Sequence, residues 1–286
     1  MGTAVNVISI RSQPVSYYLR PATLWRSLWG HRDLIRQLTW RNVLIRYRGS
    51  MLGVLWSFLL PLLMLAVYTF VFGVVFQSRW PGRRTASIGE FALTLYAGLV
   101  VYTLFSETLN AAPQLIVGNP NYVKRVVFPL EILPLCSLGA ALFQACIGIV
   151  ALLACEVVFT GGLSRTVYWF PAVLLPLLML TLGLAWFLAS LGVYVRDAGQ
   201  IIGIVLQVLM FLSPIFYSIE QVPAGFQAAM RLNPLTVIVV NARNTLLWGH
   251  PPEWKWLVAT GAASFVVMQL GYVWFMKTRR GFADVL

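Results

Sequence analysis

Charged side chains are scarce in this sequence. Only 10% of its 286 residues carry charge, against about 25% in an ordinary soluble domain. Acidic residues are the rarer kind, 9 against 21 Lys and Arg. With 59% hydrophobic residues and a mean hydropathy of +0.78, a soluble core of this size cannot hide the apolar surface. The long apolar runs therefore read as membrane spans, which excludes soluble enzymes, disordered scaffolds and secreted disulfide frameworks. The net charge of +12 then signifies cytoplasmic anchoring at anionic lipid rather than nucleic-acid binding. Cysteine is sparse too. Cys136, Cys146 and Cys155 form no CxxC pair and read as small buried residues with no redox or metal role. The first 30 residues lack an apolar h-region, so no cleavable signal is expected and the first span should remain as an anchor. No GxxxxGK[ST] is present, so the chain cannot cradle a nucleotide in a P-loop. His31 and His250 lie outside the apolar runs, which leaves no His/carboxylate pair for acid–base work. No catalytic residue, metal ligand or cofactor is expected in this chain.

What is abundant is apolar sequence of spanning length. A hydrocarbon core about 30 Å thick requires roughly 20 apolar helical residues, and six segments qualify: 52–76, 91–110, 131–159, 169–194, 198–217 and 255–276. Pro134, Pro171 and Pro176 offer kink points in the third and fourth. With both termini inside, fourteen Lys and Arg fall on the inner side and seven on the outer, so the positive-inside bias favours N-in and C-in. The expected fold is an all-α, multi-pass membrane protein. It divides into an extension (1–30), an interfacial helix (31–50) and a six-span domain (51–286).

Two segments are neither span nor plain loop. Residues 31–50 are basic and aromatic, with Leu34, Leu38 and Ile45 on one helical face, and read as an amphipathic helix along the inner leaflet. Residues 218–253 mix Pro, Gly and Asn with apolar runs too short to cross. They read as short re-entrant or gate helices on the outer side, since irregular backbone at membrane depth must be covered by protein or line a cavity. Ionisable residues in the spans are few: Glu107, Glu131 and Glu156, none at a midplane. That argues against an autonomous ion-coupled carrier and against an embedded glycan- or lipid-assembly enzyme. A pump lacking its own engine needs an ATP-hydrolysing partner, and a wide path suggests a C₂ homodimer.

The stretch Trp40-Arg41-Asn42-Val43-Leu44-Ile45-Arg46-Tyr47-Arg48, followed by Leu52-Gly53-Val54-Leu55-Trp56, Pro61 and Phe70 to Phe76, resembles the ABC-2 type permeases, the polysaccharide exporters above all. Asn119-Pro120 to Pro129, Arg196-Asp197 and Leu232-Asn233-Pro234-Leu235-Thr236 with Arg243 add to the likeness, which covers roughly residues 30–280. The resemblance implies a homodimeric permease of the bacterial inner membrane with two separate ATP-binding subunits, ATP and Mg being held on those partners. It implies export of a polyprenyl-diphosphate-linked glycan such as O-antigen; capsule, teichoic acid or a small amphiphile are alternative cargoes.

By that resemblance Asn119, Asn121, Tyr122, Lys124 and Arg125, with Arg196 and Asp197, form the ATPase-coupling surface. As a polar, basic patch it can equally wet the membrane surface. Arg41, Arg46 and Arg48 mark the entrance. They can hold a diphosphate by charge-assisted hydrogen bonds or anchor to anionic membrane lipid. Pro223, Asn233, Pro234 and Arg243 belong to the outer gate. A sliding sugar chain calls for apolar ring faces that hold without trapping, and Tyr68, Phe70, Tyr96, Tyr102, Phe105, Phe211, Phe216 and Tyr217 are expected to line the path.

Overall fold

The computed structural model describes residues 15–18, 20–47, 55–76, 80, 88–124 and 128–286. Every regular element among the described residues is helical, as expected where each backbone polar group must be satisfied within its own segment. Three short or surface helices come first: α1 (Val15–Tyr18), α2 (Pro21–Gly30) and α3 (Arg32–Tyr47). The bundle follows with α4 (Trp56–Tyr68), α5 (Ile88–Ala111), α6 (Gln114–Val117), α7 (Pro120–Lys124), α8 (Ile132–Thr160), α9 (Phe170–Tyr194) and α10 (Ala198–Leu212). Then come α11 (Ala224–Leu232), α12 (Pro234–Arg243), α13 (Trp254–Thr278) and α14 (Phe282–Val285).

Four of the described helices, those built on α5, α8, α9 and α13, are long and apolar enough to cross a membrane. The fifth expected span is shorter, and residues 52–54 of the first lie outside the described residues. Helix α4 widens into a π-type turn over Thr69–Val75. Helix α10 ends at Leu212, five residues before the expected 217. The reason is Pro214: it disfavours helical geometry in the residue before it, and Ser213 is extended at φ −99°, ψ 144°. Pro134 and Pro171 fall in the first turns of α8 and α9, where a missing N–H is tolerated. Only Pro176 is interior to α9.

Helices α9 and α13 pack along their length, with backbones meeting at Gly183 and Gly271. A Cβ on Gly183 would stand 2.5 Å from the Met268 Cα. Helix α5 runs through the centre, its residues from Phe91 to Leu109 mostly buried. Glu131, at the start of α8, ties several elements together. It accepts from Arg279 at 2.7 Å and from Ser27 at 3.3 Å, and its carbonyl accepts from the Trp186 indole at 2.9 Å. The N-terminal extension is thus part of the packing. Its Tyr18 carbonyl accepts from the Gln269 side chain of α13 at 2.7 Å.

The amphipathic helix α3 lies against α8 on part of the expected face. Leu38 and Val43 are buried, Leu34 is half-buried and Ile45 is exposed. The contact is set by Gly139 of α8, where a Cβ would come 2.8 Å from the Thr39 methyl. Leu34, Ile35 and Leu38 pack against Ile132 and Cys136 of α8, while Trp40 beside Thr39 stays exposed.

Candidate functional site

A cavity of about 300 Å³ opens between α4, α5, α8 and α10. The face of α5 that lines it repeats at helical spacing, Tyr96, Val100, Thr103 and Glu107. Tyr68 comes from α4, Gln144 and Gly148 from α8 and Met210 from α10. Gly148 keeps α8 close, since a Cβ there would stand 3.2 Å from the Tyr96 hydroxyl. The rings and apolar walls change to Thr103, Ser106 and Glu107 toward the end of α5 that leads to α6 and α7.

Of the eight aromatic residues expected on a path, the structure brings Tyr68, Tyr96 and Tyr102 to this cavity. Tyr102 also donates its hydroxyl to the Leu206 carbonyl of α10. Phe105 and Phe216 are fully buried in the core, Phe216 stacking on Phe72 at 4.8 Å. Phe70 and Phe211 point outward, 59% and 52% exposed. Tyr217 is half-buried and donates to the Phe211 carbonyl at 2.7 Å.

The arginines of α3 reach two different elements. Arg41 donates to the Tyr122 hydroxyl of α7 at 2.7 Å. Arg46 forms an ion pair with Glu107, at the polar end of the cavity. Arg48 lies outside the described residues, as does Arg125. Tyr122 stacks on Phe128 at 4.2 Å, and the Asn119 amide donates to the Leu115 carbonyl at 3.0 Å. Asn121 and Lys124 are exposed, like Arg196 and Asp197 in the turn between α9 and α10. Helix α14 contacts both α7 and α9, so the two segments share the end of the bundle that carries the C-terminus.

At the opposite end the short helix α12 is buried against α5, α9 and α13. Asn233 caps it, accepting from the Leu235 N–H at 3.0 Å, and Pro234 occupies the first turn. Asn233 also donates to the Ser213 hydroxyl at 3.2 Å, joining α12 to the broken end of α10. Pro223 stands exposed before α11. Arg243 is 1% exposed. Its guanidinium donates to the carbonyls of Thr94 at 2.9 Å, Pro214 at 2.6 Å and Ile215 at 2.7 Å, and lies 4.3 Å from the Trp80 ring centre. It is a buried brace and not a loop residue.

Sequence reasoning noted Glu107 but gave it no partner. The signal was there: Tyr96, Thr103 and Glu107 fall on one face of an otherwise apolar helix.

The sequence matches the family model described as ABC-2 type transporter over residues 33–247. It is 27% identical over 263 residues to the O-antigen export system permease protein RfbA of Myxococcus xanthus, an alignment covering 91% of this chain and 98% of that one. It is 23% identical over 257 residues to the RfbA permease of Klebsiella pneumoniae, covering 89% and 95%. It is 26% identical over 223 residues to the capsule polysaccharide export inner-membrane protein CtrC of Neisseria meningitidis serogroup B, covering 76% and 80%. With three quarters of its length inside the family's boundaries, and several helices of spanning length and composition, the chain belongs to the ABC-2 type transporter family.

Proposed function

We propose that this chain is the membrane subunit of an ATP-driven exporter that moves lipid-linked polysaccharide, O-antigen in particular, across the bacterial inner membrane. The observation that carries the reading is the near end-to-end alignment with permeases named for O-antigen export. ATP binding and hydrolysis belong to a separate subunit, because the chain has no P-loop. Two permease copies and two ATP-binding subunits make the working unit, with N-in and C-in topology and six membrane-crossing segments. Asn119 to Arg125, together with Arg196 and Asp197, form the docking surface. Support comes from the shared position of Asn121, Lys124, Arg196 and Asp197 at one end of the bundle and from their exposure. The short helices from Pro223 to Arg243 form the outer gate.

Deleting the gene should remove the polymer from the cell surface while its lipid-linked form accumulates inside, and a plasmid copy should restore export. Unchanged surface polymer without internal accumulation would refute the reading. The capsule alternative is favoured by the likeness to CtrC, and the identity of the accumulating polymer decides between them.

Within that function Tyr68 and Tyr96 hold the glycan by ring faces. An aromatic contact of about 0.5–1.5 kcal/mol predicts that Tyr68→Ala or Tyr96→Ala lowers export roughly threefold to tenfold at equal protein level. The Tyr→Phe variants should keep export. Wild-type export by both Ala variants would leave the cavity without a role in guiding sugar.

A further inference from the structure

We propose that Glu107 is a built-in competitor for the Arg46 guanidinium, making the cavity mouth selective for the charge-dense diphosphate group over singly charged anions. The proposal rests on the export reading and deepens it. Its basis is the ion pair between α3 and α5, with Glu107 among the residues lining the cavity. The side chains are 38% and 27% exposed, so an anion arriving from water or from the headgroup layer can reach the pair. Glu107 sits at the polar end of the cavity with Thr103 and Ser106, while the walls beyond, Met64, Leu99 and Val100, are apolar. Through Glu107 the Arg46 guanidinium is therefore held beside the polar end of a compartment suited to a hydrocarbon or sugar chain.

The physics of exchange gives the filter. A guanidinium binds carboxylate and phosphate in the same planar, two-bond manner, so Glu107 and a phosphate group compete for one donor set. Glu107 is tethered, and its effective concentration at Arg46 exceeds that of any free anion. A phosphodiester lipid offers one negative charge and no advantage over a carboxylate already in place. A diphosphate offers more charge and more acceptor oxygens, and displaces it. Specificity then comes from what the site rejects. An arginine without this competitor, in a membrane rich in anionic phospholipid, would be occupied by bulk lipid. Glu107 is thus a positioning residue: it holds Arg46 at the mouth between substrates and is released when a diphosphate takes the guanidinium.

The test uses the full-length permease in lipid nanodiscs and measures binding of farnesyl diphosphate. Discs of phosphatidylcholine alone are compared with discs of equal parts phosphatidylcholine and phosphatidylglycerol. The wild type should bind with similar affinity in both. Glu107→Gln should bind about fivefold tighter in phosphatidylcholine, the competition a partly exposed ion pair can impose, and should lose that gain when phosphatidylglycerol is present. Arg46→Gln should bind about tenfold or more weakly in both, as expected when a charge-assisted bidentate contact is lost. Glu107→Asp keeps the charge and should behave as wild type, which separates the electrostatic effect from misfolding. Inorganic pyrophosphate as competitor identifies the source: competition at similar concentrations makes the recognised unit the bare anion, and failure to compete makes it the lipid-borne headgroup. Binding by Glu107→Gln equal to wild type in both discs overturns the proposal. So does a wild type that phosphatidylglycerol weakens as much as Glu107→Gln. If deletion of the gene still abolishes surface polymer in that event, the export reading stands and only the competitor role falls.

Discussion

Replacing Gly271 by leucine is expected to leave little folded protein in the membrane. In bilayers, helices associate largely through packing and hydrogen bonds, and small residues let their backbones approach. The α9–α13 contact depends on that closeness. A Cβ at Gly183 would meet the Met268 nitrogen and the Val267 carbonyl oxygen, each at 2.6 Å, and one at Gly271 would overlap the Gly183 carbonyl. The obstructing atoms are backbone, so no rotamer change relieves them and the helices must separate. Overpacking a formed core costs about 1–3 kcal/mol even for small insertions. Separation would also disturb what α13 carries: Tyr272 packed edge-on against Trp186 at 5.2 Å, and Arg279 bonded to Glu131. Detergent-extracted protein followed by size-exclusion chromatography should show Gly271→Ala reduced and Gly271→Leu almost wholly aggregated. Gly225→Ala, with nothing within 4 Å of its added Cβ, should match wild type. A monodisperse Gly271→Leu at normal yield would show that these two helices do not rely on backbone contact.

The second large effect is expected at Arg243. A buried cation is costly unless its donors and charge are satisfied, and here backbone carbonyls and the Trp80 ring satisfy them. The dependence runs both ways. Pro214 and Ile215 lie where α10 has ended, and their carbonyls accept from this guanidinium. Each buried carbonyl left without a partner costs about 1–3 kcal/mol, which puts the pair freed by Arg243→Ala at roughly 2–6 kcal/mol. Lysine cannot reach all three acceptors with one ammonium, so Arg243→Lys should fall between wild type and Ala. Gly98→Val tests the brace from the other side, because a Cβ there would stand 2.7 Å from the Arg243 Nη2. Membrane protein level, and the labelling rate of a cysteine placed at position 213, should report loosening of this end in the order Ala, Lys, wild type. Wild-type level and labelling in Arg243→Ala would remove the brace.

The same residue shows where local reading stops. Reading Arg243 as part of an outer gate followed from the prolines and glycines around it, which do mark breaks in long helix. Its burial depends on the Thr94 carbonyl, 149 positions away in sequence, and no local pattern carries that distance.

By itself the sequence determined the class, the family resemblance and most of the long helices. Scarcity of charge and runs of some twenty apolar residues leave the backbone no partner but itself, so the expected 91–110, 131–159, 169–194 and 255–276 lie close to α5, α8, α9 and α13. Where the expected boundary strayed most, at 198–217, the Ser213–Pro214 step was legible but outweighed by hydropathy, which registers apolar content and not backbone geometry. Tertiary structure alone decided which side chains meet. It sorted the aromatic residues into Tyr68, Tyr96 and Tyr102 at the cavity, Phe105 and Phe216 in the core, and Phe70 and Phe211 on the outside. It also gave Arg46 its partner 61 positions away. Hydropathy is uniform around helices like these, so the face that turns inward is selected by the helix packed against it. Where α9 meets α13 and where α8 meets α3 and α5, glycines set how closely the backbones lie.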